Sequence, residues 1–95
     1  MRIEFHPAAQ AVVEQAQAWY EERSVLAAAG FLRELSDVLQ RAAETPECYP
    51  RGNAGTRRIM LDRFPFTVFY RIQPTVFLVV AVAHQKRKPG YWAMR

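Results

Sequence analysis

The segment that follows the last apolar run of this chain concentrates side chains that bind nucleic acids or acidic proteins. After residues 76–83 the sequence reads HQKRKPGYWAMR. This tail interleaves basic and aromatic residues: His84, Lys86, Arg87, Lys88, Tyr91 and Trp92. Basic groups pair with phosphates and aromatic rings stack on bases, so the pattern is typical of a nucleic-acid surface. The alternative is an ordinary solvated exit from a strand.

Acid–base chemistry has fewer candidates here than charge stabilisation. His84 is a candidate general base because histidine changes charge near neutral pH, although a lone histidine at a strand end can equally be structural. Lysine and arginine stabilise a negative phosphate but are poor bases, since both are mostly protonated at neutral pH. The lone Cys48 excludes an intramolecular disulfide, and no Cys/His set has the spacing of a zinc site. We therefore expect neither a metal nor a cofactor.

The charge of the chain is divided unevenly between its halves. Residues 1–50 carry four arginines against eight carboxylates, which gives a net charge of −4. Residues 51–95 carry nine lysines and arginines against the single carboxylate of Asp62, which gives +8. This asymmetry indicates a basic surface that meets a polyanion or an acidic partner. The alternative is a solvated basic face that neutralises the acidic half.

Two amphipathic helices occupy the acidic half. After Pro7, which fits the first turn of a helix, apolar residues recur at three- and four-residue steps and predict a helix that ends near 22–23. This spacing assigns Trp19 and Tyr20 to the core, with an aromatic binding platform as the alternative. Ser24 fits the N-cap of a second helix, which must end before Thr45-Pro46 because a residue preceding proline avoids the α conformation. The short link between the helices predicts an antiparallel hairpin.

The basic half reads as β-structure. Residues 57–63, 66–72 and 76–83 predict three consecutive strands, and residues 2–5 alternate as an edge strand would. Because the last run is apolar throughout, we place it at the centre of the sheet. Residues 45–56 contain two prolines and two glycines and predict a loop, without the glycine spacing of a phosphate-binding motif.

These elements predict one α+β domain over residues 1–95, in which a two-helix antiparallel hairpin packs on one face of a small twisted antiparallel β-sheet. The hairpin can cover only one face of the sheet. The period of two in 66–72 puts Phe69 and Arg71 together on the other face, which is typical of a binding surface. The alternative is that Arg71 pairs with Asp62 across the sheet.

The sequence has no sign of a membrane or export segment. It lacks a run of 18 apolar residues, and its N-terminal stretch MRIEFHPAAQ lacks the hydrophobic region of a signal peptide. We expect a soluble, cytoplasmic protein without a membrane partner.

Several stretches, in this order and spacing, resemble the RelE/ParE family of toxins from bacterial type II toxin–antitoxin systems. They are FHPAA at 5–9, AWYEER at 18–23, FLRELSDVLQRAAETPECYP at 31–50, RRIMLDRFPFTVFYRI at 57–72 and VVAVAHQKRKPGYW at 79–92. The resemblance covers nearly the whole chain and is closer to the ParE branch. It implies a small toxin that a cognate antitoxin wraps with a helix and an extended segment. We expect that antitoxin to be acidic and DNA-binding.

The two branches of the family imply different activities. ParE-like toxins inhibit DNA gyrase without established catalytic residues, whereas RelE-like toxins cut messenger RNA in the ribosomal A site. The RelE pattern needs an arginine on the middle strand, another after the last strand and a tyrosine near the C-terminus. At those positions this chain has Thr67, Lys88 and Trp92. The resemblance therefore favours a gyrase inhibitor, with an mRNA endoribonuclease or a degenerate toxin that binds only its antitoxin as alternatives.

Three sets of candidate residues follow. For target binding we expect Arg87, Lys88, Tyr91 and Trp92. For antitoxin binding we expect Arg57, Arg58, Phe69, Arg71 and Phe77, together with the loop at 45–56. If the protein is RelE-like, the catalytic candidates are Arg71, His84, Lys88 and Tyr91.

Overall fold

The chain folds into two helices on one face of a four-stranded sheet in the computed structural model, which describes residues 1–86 and 92–95. The helices are α1 (Pro7–Glu21) and α2 (Val25–Glu44). The strands are β1 (Arg2–Phe5), β2 (Arg57–Met60), β3 (Phe66–Ile72) and β4 (Val76–His84). Two short 3-10 turns, Pro46–Cys48 and Asn53–Gly55, lie between α2 and β2. The predicted α+β class and its helical hairpin are confirmed.

Local capping explains where the helices begin. The His6 Nδ1 atom accepts a hydrogen bond of 3.0 Å from the amide of Ala8, and Pro7 occupies the first helical position, where its missing N–H costs nothing. Ser24 caps α2, as predicted, by accepting a 3.2 Å bond from the amide of Ala27.

No helix within residues 1–86 and 92–95 has the length and apolarity needed to cross a membrane.

The strand order is β1-β4-β3-β2, so β4 lies inside the sheet as its apolar sequence predicts. The β2–β3 and β3–β4 pairs are antiparallel, whereas β1 pairs parallel to β4 and makes the sheet mixed. A tight hairpin imposes antiparallel pairing only on consecutive strands, and β1 reaches β4 across the rest of the chain. The sheet is therefore antiparallel in its three sequential strands and parallel at one edge.

β2 is shorter than the 57–63 that the sequence predicts. It ends at Met60, and the following turn is held by α2 through the Glu34 carboxylate. That carboxylate accepts hydrogen bonds from the amides of Asp62 at 3.0 Å and Arg63 at 3.2 Å. Satisfying these two amides from a helix side chain removes them from the strand ladder.

The main core lies between the helices and the sheet. It is built from apolar residues of both layers: Ala9, Val13, Ala16, Phe31, Leu35, Val38, Leu39, Ala42, Leu61, Phe66, Val68, Tyr70, Phe77, Val79 and Val82. A register shift between Phe69 and Tyr70 leaves one extra residue on β4, which is a β-bulge. The bulge turns both Val80 and Ala81 to the face away from the helices, where they join a second, smaller cluster.

Candidate basic interface

The face of the sheet away from the helices, called here the open face, combines arginines with apolar side chains. It consists of residues that alternate along three strands: Arg58, Met60, Thr67, Phe69, Arg71, Leu78, Val80, Ala81 and Ala83. The register pairs Arg58 with Phe69, and Arg71 with Leu78. The prediction that Phe69 and Arg71 share a face opposite the helices is confirmed.

The open face is not bare, because the C-terminal residues 92–95 lie against it. The Trp92 side chain is 1% exposed, and its ring lies 3.9 Å from that of Phe69, centroid to centroid, at 33°. The Arg95 Nη1 atom donates a 3.1 Å hydrogen bond to the carbonyl oxygen of Val80. An aromatic ring at the end of the chain thus covers apolar surface that the sequence analysis left uncovered.

Arg71 joins two segments that are distant in sequence. Its Nε atom donates to the carbonyl oxygen of Ala54 at 2.8 Å, and its Nη1 atom donates to the main-chain oxygen of Arg95 at 2.6 Å. The alternative pairing with Asp62 is wrong, because Asp62 lies in the turn that Glu34 holds. The planar guanidinium suits this task, since its five donors can serve several acceptors at once.

Two arginines of β2 hold the loop before it in the same way. Arg57 Nη1 donates to the carbonyl of Tyr49 at 2.8 Å, and Arg58 Nη1 donates to the carbonyl of Arg51 at 3.2 Å. Loop carbonyls need such partners because no helix or sheet ladder satisfies them. The predicted loop at 45–56 is therefore an ordered structure that the basic half of the chain anchors.

The positive charge of these arginines is not neutralised by nearby carboxylates. Two ion pairs of the described residues, Arg2–Glu4 and Arg23–Glu22, lie in the acidic half and involve none of these arginines. Carbonyl oxygens accept hydrogen bonds from a guanidinium without cancelling its charge. Arg51, Arg57 and Arg58 therefore make β2, its preceding loop and the adjoining part of the open face electropositive.

Two cavities flank the end of β4. The first, the sheet groove, has a volume of about 210 Å³ on the open face and is lined by Arg58, Met60, Thr67, Phe69, Ala83, His84, Gln85 and Trp92. The second, the helix cleft, has a volume of about 480 Å³ beside α1 and is lined by Val12, Gln15, Ala16, Trp19, Tyr20, Pro65, Phe66 and His84. His84 lies between them, with its ring edge-on to Phe66 and its Nδ1 atom accepting a 3.2 Å bond from the Lys86 amide.

Of the predicted catalytic residues, the structure describes Arg71 and His84, and it does not bring them together. His84 shares the sheet groove with Arg58 and Trp92, whereas Arg71 is turned toward the C-terminus and does not line that groove. Arg87, Lys88 and Tyr91 lie outside the described residues. Among residues 1–86 and 92–95, no three His, Cys, Asp or Glu side chains are grouped closely enough to hold a metal ion.

The predicted antitoxin-binding residues are divided between two faces. Arg58, Phe69 and Arg71 belong to the open face, and Arg57 is directed to the helix side, opposite Tyr70. Phe77 requires a correction: it is 0% exposed in the main core, so a partner cannot reach its ring without opening the core. The apolar run of β4 has no alternation from which its faces could be read.

Tyr70 is a buried structural group on the helix side of this region. Its ring stacks on Phe77 with centroids 4.2 Å apart, and its hydroxyl donates a 2.6 Å bond to the carbonyl of Pro46. Burial raises the pKa of Tyr70 to about 12, and the nearby Arg57 guanidinium lowers it by a smaller amount. Tyr70 is therefore neutral at physiological pH and fixes the start of the 45–56 loop.

Sequence reasoning missed the helix cleft and its exposed tryptophan. Trp19, which the helical spacing assigned to the core, is 53% exposed, and the Arg23 guanidinium lies 3.7 Å from its ring centroid. Tyr20 is half-buried and packs against Phe31 and Phe64, as the core assignment predicted. The Arg23 four residues after Trp19 was the available signal of an exposed cation–π pair.

Comparison with known proteins identifies the class to which this arrangement belongs. The chain matches the family model described as ParE toxin of type II toxin–antitoxin system, parDE, over residues 3–89. The chain therefore belongs to the ParE family of toxins from type II toxin–antitoxin systems. Membership implies an antitoxin partner. No curated protein matches it.

A solved structure described as the chromosomal ParDE TA system from P. aeruginosa is similar to this chain. Its TM-score is 0.62 at 16% sequence identity, over 88% of this chain and 95% of that chain. At this identity the similarity shows the fold alone. The fold that the sequence predicted is thus found in a ParDE system.

Proposed function

We propose that this ParE-family toxin inhibits growth by acting on DNA gyrase in the cytoplasm. The observation that carries the proposal is the separation of Arg71 from His84. Arg71 is bonded to the main-chain oxygens of Ala54 and Arg95, whereas His84 lines the sheet groove. A metal-free ribonuclease needs a base, an acid and a charge-stabilising group around one phosphate. Arg71 and His84, the two members of the predicted set that the structure describes, do not meet around one site, which supports binding rather than catalysis.

Target binding is assigned to the end of the chain, at Arg87, Lys88, Tyr91 and Trp92. Of these, Trp92 is described, and its ring is buried against Phe69. Its part in the proposal is therefore to fix the C-terminal segment on the open face. The basic residues would supply the attraction to an acidic or nucleic-acid-bound surface, whose strength falls with added salt.

Neutralisation is assigned to a cognate antitoxin that is acidic and DNA-binding. The uncompensated charge at Arg57 and Arg58 would steer such a partner to β2 and its loop. Further burial of Phe69, which is half-buried on the open face, would add apolar affinity. The charges would mainly raise the association rate, and the apolar contact would mainly slow dissociation.

A RelE-like mRNA endoribonuclease is the second candidate, and the sheet groove is the observation that favours it. There a possible base, His84, lies with the cationic Arg58 and the aromatic Trp92 around one cavity of about 210 Å³. Arg58 would stabilise phosphate charge in place of Arg71. A degenerate toxin that binds only its antitoxin remains the third candidate.

The test is inhibition of gyrase supercoiling by purified, antitoxin-free protein. We expect inhibition that is reversed by one equivalent of the cognate antitoxin. Lys88→Ala should weaken inhibition, whereas Arg33→Ala, an equal charge loss on the exposed surface of α2, should not. Gyrase that remains fully active at saturating toxin would contradict the proposal.

A further inference from the structure

Among residues 1–86 and 92–95, no strand uses the backbone hydrogen-bonding groups on the outer edge of β1. β1 is the terminal strand of the sheet, and on its inner side the amides of Arg2 and His6 donate to Thr75 and Val79 of the β4 side, at 3.2 and 2.9 Å. Backbone groups alternate in direction along a strand, so those of Ile3 and Phe5 point outward. Within the described residues no strand lies beside them.

We propose that this edge binds the same strand of a second copy of the chain, antiparallel and centred on Ile3. In this register Ile3 lies opposite its own copy, and Met1 lies opposite Phe5 of the second copy. The odd-numbered residues are the ones whose backbone groups point outward, and this register pairs odd-numbered residues with one another. Each outward N–H and carbonyl therefore meets a partner across the two-fold axis. The inference does not depend on the proposed action on gyrase.

Charge selects this register over its neighbours. Arg2 and Glu4 are exposed on the same face of β1, with side chains 69% and 47% accessible. Centring on Ile3 places the Arg2 of each copy opposite the Glu4 of the other copy, which gives two such pairs per dimer. A shift by two residues in either direction would instead oppose Arg2 to Arg2 or Glu4 to Glu4, and like charges directly opposite are destabilising. A shift by one residue would mismatch the outward backbone groups.

The surroundings of β1 leave room for a second strand. α1 packs against α2 and, among the strands, mainly against β4, and the helix-side residues of β1, Ile3 and Phe5, are half-buried against the main core. Met1 is 58% exposed and would gain apolar cover from Phe5 of the second copy. Charged residues on an edge strand usually prevent pairing, but here they complement one another. An interface of one four-residue strand falls below the usual size of a stable dimer, so we expect a weak, concentration-dependent one.

A charge-swap series measured by sedimentation equilibrium tests the proposal on the full chain without antitoxin. Wild-type protein should dimerise as its concentration rises from micromolar to millimolar. Arg2→Glu and Glu4→Arg should each weaken dimerisation on the order of tenfold, because two pairs per dimer become repulsive. The double variant R2E/E4R should restore it. A wild type that stays monomeric, or a double variant as weak as either single one, would overturn the proposal.

Disulfide trapping in a Cys48→Ser background tests the register. Ile3→Cys should cross-link rapidly, because residues opposite each other in a hydrogen-bonded pair have Cα atoms about 5.5 Å apart. Arg2→Cys is the matched control, since its two copies would lie on a diagonal about 7–8 Å apart and cannot be bridged without movement. Thermal unfolding of each variant confirms that it is folded. Equal cross-linking of the two variants would overturn the centring on Ile3.

Discussion

Arg71 shows how a residue of a basic surface can also hold the fold together. Its guanidinium connects the 53–55 turn to the C-terminus through the main-chain oxygens of Ala54 and Arg95. The sequence placed it correctly on the open face but could not show these acceptors, because both are main-chain groups distant in sequence. The geometry of its guanidinium determines where residues 92–95 lie.

Removing the Arg71 side chain should therefore release the C-terminal segment. We expect Arg71→Ala to lower the free energy of unfolding by about 1.5–3 kcal/mol, since hydrogen bonds from a charged donor are lost. In a Trp19→Phe background, which leaves Trp92 as the one tryptophan, its emission should shift to the red. Arg33→Ala, on the exposed surface of α2, is the control. Unchanged emission and stability in Arg71→Ala would contradict the role of Arg71 in holding residues 92–95 on the sheet.

Tyr70 gives a pH dependence with a defined sign. Its pKa is raised to about 12 by burial, from an ordinary value of 10.0, so the folded state holds the proton more tightly than the unfolded state. Stability is therefore full below pH 10 and falls between pH 10 and 12, by at most about 1.4 kcal/mol per pH unit. Urea unfolding across this range should show the loss, and Tyr70→Phe should flatten it. An equal alkaline slope in Tyr70→Phe would contradict this assignment.

At the scale of elements, the helices and the three sequential strands were predictable. Each of them has a clear period in its apolar residues or a residue that marks its boundary. Ser24, Pro46 and the alternation of β3 fix their elements locally. The face on which Phe77 lies was not predictable, because β4 is apolar throughout and a bulge interrupts its alternation. The burial of Trp92 depends on a long-range contact with Phe69 that no local pattern encodes.

The N-cap of α2 is an element-scale feature with a simple test. The Ser24 side chain accepts the amide of Ala27, one of the donors that a helix start leaves unsatisfied. Ser24→Ala should lower the free energy of unfolding by about 0.5–2 kcal/mol. Ser36→Ala, at an exposed position inside the same helix, should be neutral or slightly stabilising. Thermal or urea unfolding of both variants measures the difference, and equal stabilities would contradict the cap.

At the scale of the whole molecule, the separation of charge decides how partners approach. The −4 half forms both helices, and the +8 half forms β2, β3, β4 and the C-terminal segment. An acidic antitoxin would therefore be attracted to one side of the molecule and repelled from the other. This separation was readable from the sequence, because it follows from charge counts and the order of elements.

Charge reversal at Arg58 should slow association with the antitoxin. We expect Arg58→Glu to lower the association rate constant about tenfold at low salt and to reduce its salt dependence. Arg33→Glu makes the same charge change on α2 and should have a much smaller effect. Stopped-flow or surface-based kinetics at several ionic strengths supply the comparison. Equal effects of the two reversals would show that steering is not localised to the basic half.

The central claim is that this toxin binds gyrase rather than cutting messenger RNA. The most direct test compares two assays on the same antitoxin-free protein: gyrase supercoiling with cleavage-complex detection, and mRNA cleavage on translating ribosomes. We predict gyrase inhibition that persists in His84→Ala, with intact mRNA. Codon-positioned mRNA cuts that disappear in His84→Ala or Lys88→Ala, together with unaffected gyrase, would contradict the claim and favour the RelE-like activity.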